Sequence, residues 1–463
     1  MSGMTKDKTS DDFTVGSIPG KLAKFMVPIF GALVLQAMYG AVDLFVVGKF
    51  GSDAGISAAS TGSNLINLVT FLITGLTMGV TVCISRYIGE QKRERISKVI
   101  GGAVSFFIVM ALVLMVVLLL GAPLFTSLLK APEEAYDLTV TYIRICGGGI
   151  VFVVAYNVIS GIFRGLGNSR LPLLFVFIAC MVNVAGDLLF VAGFGMDVAG
   201  AAIATILAQA VSVVMSFFII RKKKDLPFAF SKSDIGFNPE VKNFLRIGFP
   251  IALQDFLCNI SFLILCAIIN NLGLEASSGY GVAQKITAFI MLVPSALMQS
   301  TSTFVAQNAG AGNQKRARLT MRYGMMMGVG VGVFVFLFIV FKGELPSSIF
   351  TDNPAYIAKS VEYLRGFGLE SVLTSFVFCY MGYFNGNGKT VFVMAQSLAQ
   401  TFVVRIPVSY FMSIQENVTL TKIGFAAPAA SVFGIFLCTI YYVYLRKKES
   451  VNLSGDSYNK KNQ

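Results

Sequence analysis

Uncharged, predominantly apolar runs recur along the whole chain, among them Val99 to Leu129, Val198 to Ile220, Ile286 to Gln314 and Ile423 to Leu445. Each matches or exceeds the roughly 20 residues that a helix needs to cross a hydrocarbon core about 30 Å thick. One such run would serve as an anchor; this many make a bundle. Breaks at charged and Gly/Pro-rich positions predict twelve helices, at 21–48, 57–85, 96–126, 136–163, 170–193, 198–220, 243–272, 276–308, 316–341, 356–385, 390–413 and 423–445.

The chain also repeats itself near an offset of 222 residues. Pro28-Ile29 meets Pro250-Ile251 and Gly51 meets Gly273, while Phe163, Gly165 and Gly167 meet Phe384, Gly386 and Gly388 at 221. The clearest local match sets Gly89-Glu-Gln-Lys-Arg-Glu-Arg95 against Gly312-Asn-Gln-Lys-Arg-Ala-Arg318, identical at five of seven positions and following the second span of each half. The fold class expected is all-α and integral to a membrane, twelve helices in two parallel-repeat six-helix lobes. An N-lobe over 1–225 would hold helices 1–6 and a C-lobe over 226–463 helices 7–12. An even number of spans per half sends both copies into the membrane in the same direction, about an axis along its normal. The linker from Arg221-Lys-Lys-Lys-Asp225 to Asn243, with Pro227 and Pro239, joins the lobes, and its basic run reads as a topology anchor.

Charge sets the orientation. Of 37 Lys and Arg residues, 28 lie on the side shared by both termini and 5 on the other, which places both termini in the cytoplasm of a plasma (inner) membrane protein. Hydrophobic residues make up 55% of the chain, charged residues 13%, and mean hydropathy is +0.73, too little polar surface for a soluble chain of this length. The net charge of +13 does not indicate nucleic acid, because the basic residues sit in short loops between apolar runs. All seven cysteines fall within apolar segments and no histidine is present, so the sequence offers no metal-ligand pattern. The first apolar run, Phe25 to Gly48, is too long for a signal-peptide core and reads as a retained helix.

Against this apolar background four acids lie well inside spans: Asp43, Asp187, Asp255 and Glu370. A charge at such depth costs about 2.5–3.5 kcal/mol on insertion scales, so each is a functional candidate. Gln36, Tyr39 and Asp43 recur at spacings of three and four and share one helix face; Asn183 and Asp187 stack four apart, and Thr205 follows in the sixth span. Two readings stand for the polar groups: hydrogen bonding between helices, or cation coupling at Asp43 and Asp187, whose spans hold no base beyond their first turns. Asp255 and Glu370 could hold a second cation, or pair structurally with Arg365 or Arg405. With no imidazole to titrate near neutral pH, proton coupling would fall to carboxylates. The turns Arg164-Gly-Leu-Gly-Asn-Ser-Arg170 and Asn385-Gly-Asn-Gly-Lys389 lack P-loop spacing and follow no strand, so they read as tight turns and the energy source as an ion gradient.

In this order the motifs resemble the multidrug and toxic compound extrusion (MATE) family. The resemblance runs from about 20 to 445: Gln36 and Asp43, the turns at Gly89 and at Gln307-Asn-Ala-Gly-Ala-Gly312, Phe163-Arg-Gly-Leu-Gly-Asn-Ser-Arg-Leu-Pro172, and Asn183-x-x-x-Asp187 leading to Gly200-Ala-Ala-Ile-Ala-Thr205. It implies a transporter rather than an enzyme, a monomer in the lipid bilayer, exporting cationic or amphiphilic small molecules in exchange for H⁺ or Na⁺ and needing no other cofactor. Residue by residue, it implies an ion-coupling cluster of Asp43, Asn183 and Asp187, with Gln36, Tyr39 and Thr205 lining it. Asp255 and Glu370 match no Na⁺ site of the other branch clearly, and Asn385 stands where the family usually has arginine. A lipid-linked-sugar flippase or a narrow-specificity metabolite exporter of the same superfamily is the alternative; a flippase would need a basic cleft, for which only Arg144, Lys285, Arg365 and Arg405 are placed.

Overall fold

The computed structural model describes residues 12–222 and 234–461. Lys223, Lys224, Asp225 and Pro227 of the linker lie outside the described residues. Helices α1 (Ile18–Phe50), α2 (Asp53–Gly89), α3 (Arg93–Leu128), α4 (Tyr136–Gly148), α5 (Ile150–Gly165), α6 (Arg170–Asp187) and α7 (Asp197–Lys222) make the first half. Helices α8 (Pro239–Asn270), α9 (Leu274–Ile290), α10 (Leu292–Gly310), α11 (Gln314–Lys342), α12 (Glu344–Ser348), α13 (Pro354–Phe367), α14 (Glu370–Gly386), α15 (Thr390–Ala399), α16 (Ile406–Ser413), α17 (Leu420–Gly424) and α18 (Ala426–Lys461) make the second.

Among the described residues, ten stretches are long and apolar enough to cross a membrane, and two bent pairs, each taken as one span, bring the number to twelve. Span 4 is bent by 50° between α4 and α5, and span 10 by 48° between α13 and α14. Gly149 forms the first joint, where a Cβ would collide with the Ile206 side chain. Spans 5 and 11 each contain a π-helical segment, Leu188–Gly193 and Gln400–Arg405, a local widening that often accompanies functional sites. Helix starts carry ordinary caps: Ser52 accepts the Gly55 N–H at 2.9 Å before α2, and Asn353 accepts the Ala355 N–H at 3.0 Å before α13, where Pro354 takes the first turn. Along α3, Ile108, Leu112, Val116, Leu120 and Leu124 are exposed while Phe107, Ala111, Leu118 and Ala122 are buried. An apolar helix with its large side chains turned outward has lipid as its solvent.

The chain divides into two compact units, which do not coincide with the two sequence halves. The first comprises Met1–Phe256, Ser295–Gly324 and Gly382–Val391. Its core includes Ile73, Val80, Ile84, Val99, Ile143, Phe175 and Phe244. Within this unit the ends of second-half helices pack into the first half. A Cβ on Gly79 would strike the Phe244 carbonyl, and one on Gly248 would strike the Leu76 carbonyl. The Tyr87 hydroxyl donates to Glu240 Oε2 at 2.7 Å, Asn243 donates to the same oxygen at 2.8 Å, and Asn238 reaches the Lys98 carbonyl at 2.8 Å. The segment before α1 crosses to α10 and α11: the Phe13 N–H donates to Gln307 Oε1 at 2.9 Å, its carbonyl accepts from Arg316 Nε at 2.7 Å, and its ring stacks on Phe304 at 4.7 Å. The second unit comprises Leu257–Pro294, Met325–Met381 and Phe392–Gln463, around Leu265, Ile269, Tyr280, Tyr363, Leu364 and Leu420.

The turns confirm the internal repeat and correct its local register. Gly167 (φ 82°) and Gly388 (φ 72°) close spans 4 and 10 in the left-handed conformation that glycine adopts most readily, each helix ending with the same pair of backbone bonds. After spans 2 and 8, however, it is Gln91 (φ 59°) that occupies the place of Gly312 (φ 73°), and the following helices start at Arg93 and Gln314. Gly89 therefore corresponds to Gly310, two residues from the match that sequence identity favoured. Backbone geometry outweighs the shared Gln-Lys-Arg string.

Candidate functional site

The π-helical segment after α6 begins just beyond Asp187, and α1, α6 and α7 bring Asp43, Asn183, Asp187 and Thr205 together. The Thr205 hydroxyl donates to Asp43 Oδ2 at 3.1 Å, and Asn183 Nδ2 reaches Thr205 Oγ1 at 3.4 Å. Asp187 is 0% and Asn183 1% exposed. The Asp187 carboxyl adjoins that of Asp43, yet neither of its oxygens meets a hydrogen-bond partner; Asp43 Oδ1 and Asn183 Oδ1 are likewise buried and unpartnered. Buried polar atoms in native proteins are nearly always satisfied, and an unmet one costs roughly 1–3 kcal/mol, more for a charged group. Four acceptor oxygens converging without a donor are suited to a cation: a proton shared by the two carboxyls, or a hard metal ion with oxygen ligands.

The two lining residues on α1 lie one and two turns from Asp43. Tyr39 reaches the amide end of Gln209 on α7 and comes under the field of Asp43 and Tyr156. Gln36 neighbours the Tyr156 hydroxyl. Tyr142 and Cys146 on α4, Tyr156 and Ser160 on α5, and Gln209 also border this region and are buried. These escaped the sequence reading, although Tyr142 and Cys146, like Tyr156 and Ser160, stand four residues apart on apolar helices and so share a face.

The remaining two acids are placed differently. Asp255 lies on α8 in the first unit and Glu370 heads α14 in the second. Glu370 Oε1 accepts from the Ser431 hydroxyl at 2.7 Å, and the base acting on it is Arg405 rather than Arg365. The Arg405 guanidinium stands 4.2 Å from the Phe262 ring centroid, within cation–π range. At the offset of 222, Leu265, Arg405, Ser409 and Ala427 occupy the places of Asp43, Asn183, Asp187 and Thr205. The second copy has no carboxylate at any of the four. Among the described residues, no group of three or more His, Cys, Asp or Glu side chains suits a metal ion.

A profile of the MatE family matches the chain twice, over residues 28–189 and 250–411, with matching ends 222 residues apart. The chain belongs to the MatE family. Its curated relatives include the probable multidrug resistance protein YpnP of Bacillus subtilis, 27% identical over 94% of this chain and 97% of that protein. Another is the probable multidrug resistance protein NorM of Thermotoga maritima, 25% identical over 86% of both. The multidrug export protein MepA of Staphylococcus saprophyticus is 21% identical over 88% of this chain and 90% of its own length. Among solved structures, a MATE crystal structure in complex with MaD3S superposes with a TM-score of 0.89 at 20% identity, covering 96% of this chain and 100% of that one. An outward-facing MATE transporter gives 0.88 at 20% identity over 97% and 99%. The MatE chain described here is thus a multi-pass, twelve-helix membrane protein of two repeated halves.

Proposed function

We propose that this MatE protein is a secondary active antiporter that exports cationic or amphiphilic small molecules of the multidrug type in exchange for H⁺ or Na⁺. The observation that carries this reading is the Asp187 carboxyl, buried beside Asp43 with both oxygens unpartnered. Such a pair is stable with a cation and costly without one, so its occupancy biases whichever conformation tolerates that state. Asp43, Asn183 and Asp187 hold the coupling ion, Thr205 orients Asp43, and Gln36 and Tyr39 line the approach. The multidrug resistance names of YpnP and NorM support the substrate class.

The repeat supports alternating access as the mechanism, with an N-lobe of 1–225 and a C-lobe of 226–463 as the moving halves. The protein works as a monomer in the plasma (inner) membrane with both termini cytoplasmic, as the 28-to-5 split of Lys and Arg supports. The test is uptake of a fluorescent organic cation into inverted vesicles under separately imposed H⁺ and Na⁺ gradients. Uptake driven by one ion and lost in Asp43→Asn, with normal insertion, would support the assignment and name the ion; uptake unchanged in Asp43→Asn would remove the site from the mechanism.

A further inference from the structure

Unpartnered polar atoms do not stop at the carboxylate pair. They continue along the first half as Gln209 Oε1, Ser160 Oγ and Arg164 Nε, each buried without a hydrogen-bond partner. The residues connect in sequence. Asp43 acts on Tyr39, which reaches Gln209 and lies within the field of Tyr156. The Tyr156 hydroxyl lies between Gln36 and Ser160, and its field reaches Arg164. Tyr156, Ser160 and Arg164 are spaced by four on α5 and so line one face, rising about 12 Å from first to last. Arg164 sits in the last turn of α5, immediately before the Gly167 turn, at the end of the helix that shares its side with both chain termini.

A file of hydrogen-bonding groups leading from an ion site to one membrane face is a route for protons or water. In an antiporter such a route must be blocked whenever the ion site faces the other way, or the gradient dissipates without transport. A fixed positive charge in a polar constriction supplies that block, since an approaching proton or metal ion meets like charge where little water screens it. We infer that Arg164 is the electrostatic barrier at the terminal-side end of a polar file running from Asp43 and Asp187 through Tyr39, Gln36, Tyr156 and Ser160, and that it keeps the exchange tightly coupled. This rests on the antiport reading of the carboxylate pair.

The experiment is passive ion leak in proteoliposomes without drug, with internal pH-sensitive and Na⁺-sensitive dyes and an imposed gradient of each ion in turn. A unit charge about 12 Å away across an effective dielectric of about 20 is worth about tenfold in rate, so Arg164→Gln should leak about ten times faster than the unsubstituted protein. Arg164→Lys should stay tight, and adding Asp43→Asn to Arg164→Gln should return the leak to background. A tight Arg164→Gln protein, or a leak that persists in the double variant, would overturn the proposal. If Arg164→Gln does not insert, Tyr156→Phe carries the decision: it interrupts the file and should slow ion-driven uptake several-fold while drug binding at equilibrium is unchanged. Equal effects of Tyr156→Phe on binding and rate would also overturn it. Failure of the antiport reading shows separately, as absence of ion-driven drug uptake in the unsubstituted protein.

Discussion

Gly89 and Gly310 stand at the same point of the two repeats and each is pressed against the other's helix, Gly89 on the Gln307 carbonyl and Gly310 on the Arg86 carbonyl. The contact is reciprocal, because Arg86 and Gln307 are themselves repeat partners at the offset of 221. Only glycine permits this approach. Gly89→Ala or Gly310→Ala should disfavour it by about 1–3 kcal/mol, a shift of roughly 5- to 150-fold in a two-state population. Spin labels at Glu90 and Asn313 would read the change as a longer-distance population; an unaltered distance distribution in both variants would show that the ends are held elsewhere.

The Thr205 hydroxyl donates to the Asp43 carboxylate at 3.1 Å. Thr205→Val keeps the shape and removes the hydroxyl. A hydrogen bond to a charged group contributes about 1.5–3 kcal/mol, so the concentration of coupling ion giving half-maximal uptake should move at least about tenfold, and Thr205→Ser should restore it. An unchanged ion dependence in Thr205→Val would leave the threonine with packing alone.

Phe13 is 1% exposed, stacked on Phe304 and edge-on to Phe25 at 5.0 Å. Removing a buried phenylalanine ring costs about 3–5 kcal/mol. Phe13→Ala should therefore lower the melting temperature in detergent, while Phe13→Leu should recover most of the loss. Equal melting temperatures for Phe13→Ala and the unsubstituted protein would mean that the segment before α1 does not stay docked in solution.

Glu240 is 7% exposed and accepts from both Tyr87 and Asn243. Glu240→Ala strands the buried Tyr87 hydroxyl at about 1–3 kcal/mol, while the exposed Asn243 amide can turn to solvent. Tyr87→Phe removes one donor together with its need for a partner and should cost less. Melting curves of the two variants, compared in the same detergent, give the order; a milder effect of Glu240→Ala would place the stabilisation of this corner elsewhere.

Much of the architecture was legible because lipid imposes a simple rule on sequence. Apolar stretches of spanning length mark the twelve helices, and Asp43 and Asp187 stand out because an acid in such a stretch is costly. The bends at Gly149 and between Phe367 and Glu370 left no comparable trace, since glycine is common throughout this chain and hydropathy does not respond to direction. The π-helical segments were equally silent: Leu188–Gly193 reads as an unbroken apolar run. Tyr156, Ser160 and Arg164 have a visible spacing of four, but Arg164 stands at a span end beside a glycine turn, where a basic residue reads as a topology signal. The compact units cut across the two sequence halves because packing at helix ends depends on contacts that no periodicity encodes.

Doubling a sequence doubles its scaffold, and the two copies then diverge at whatever positions are free to do so. The places held by Asn183 and Asp187 in the first copy belong to Arg405 and Ser409 in the second. An ancestor with identical halves would have presented two equal binding places, and a carrier with two equal places can hold two ions. Here one copy sets an amide and a carboxylate at these places and its twin a guanidinium and a hydroxyl. On the antiport reading proposed above, the arithmetic of exchange would be biased toward a single charge-handling half, with the other left to evolve its aromatic and basic lining under separate selection.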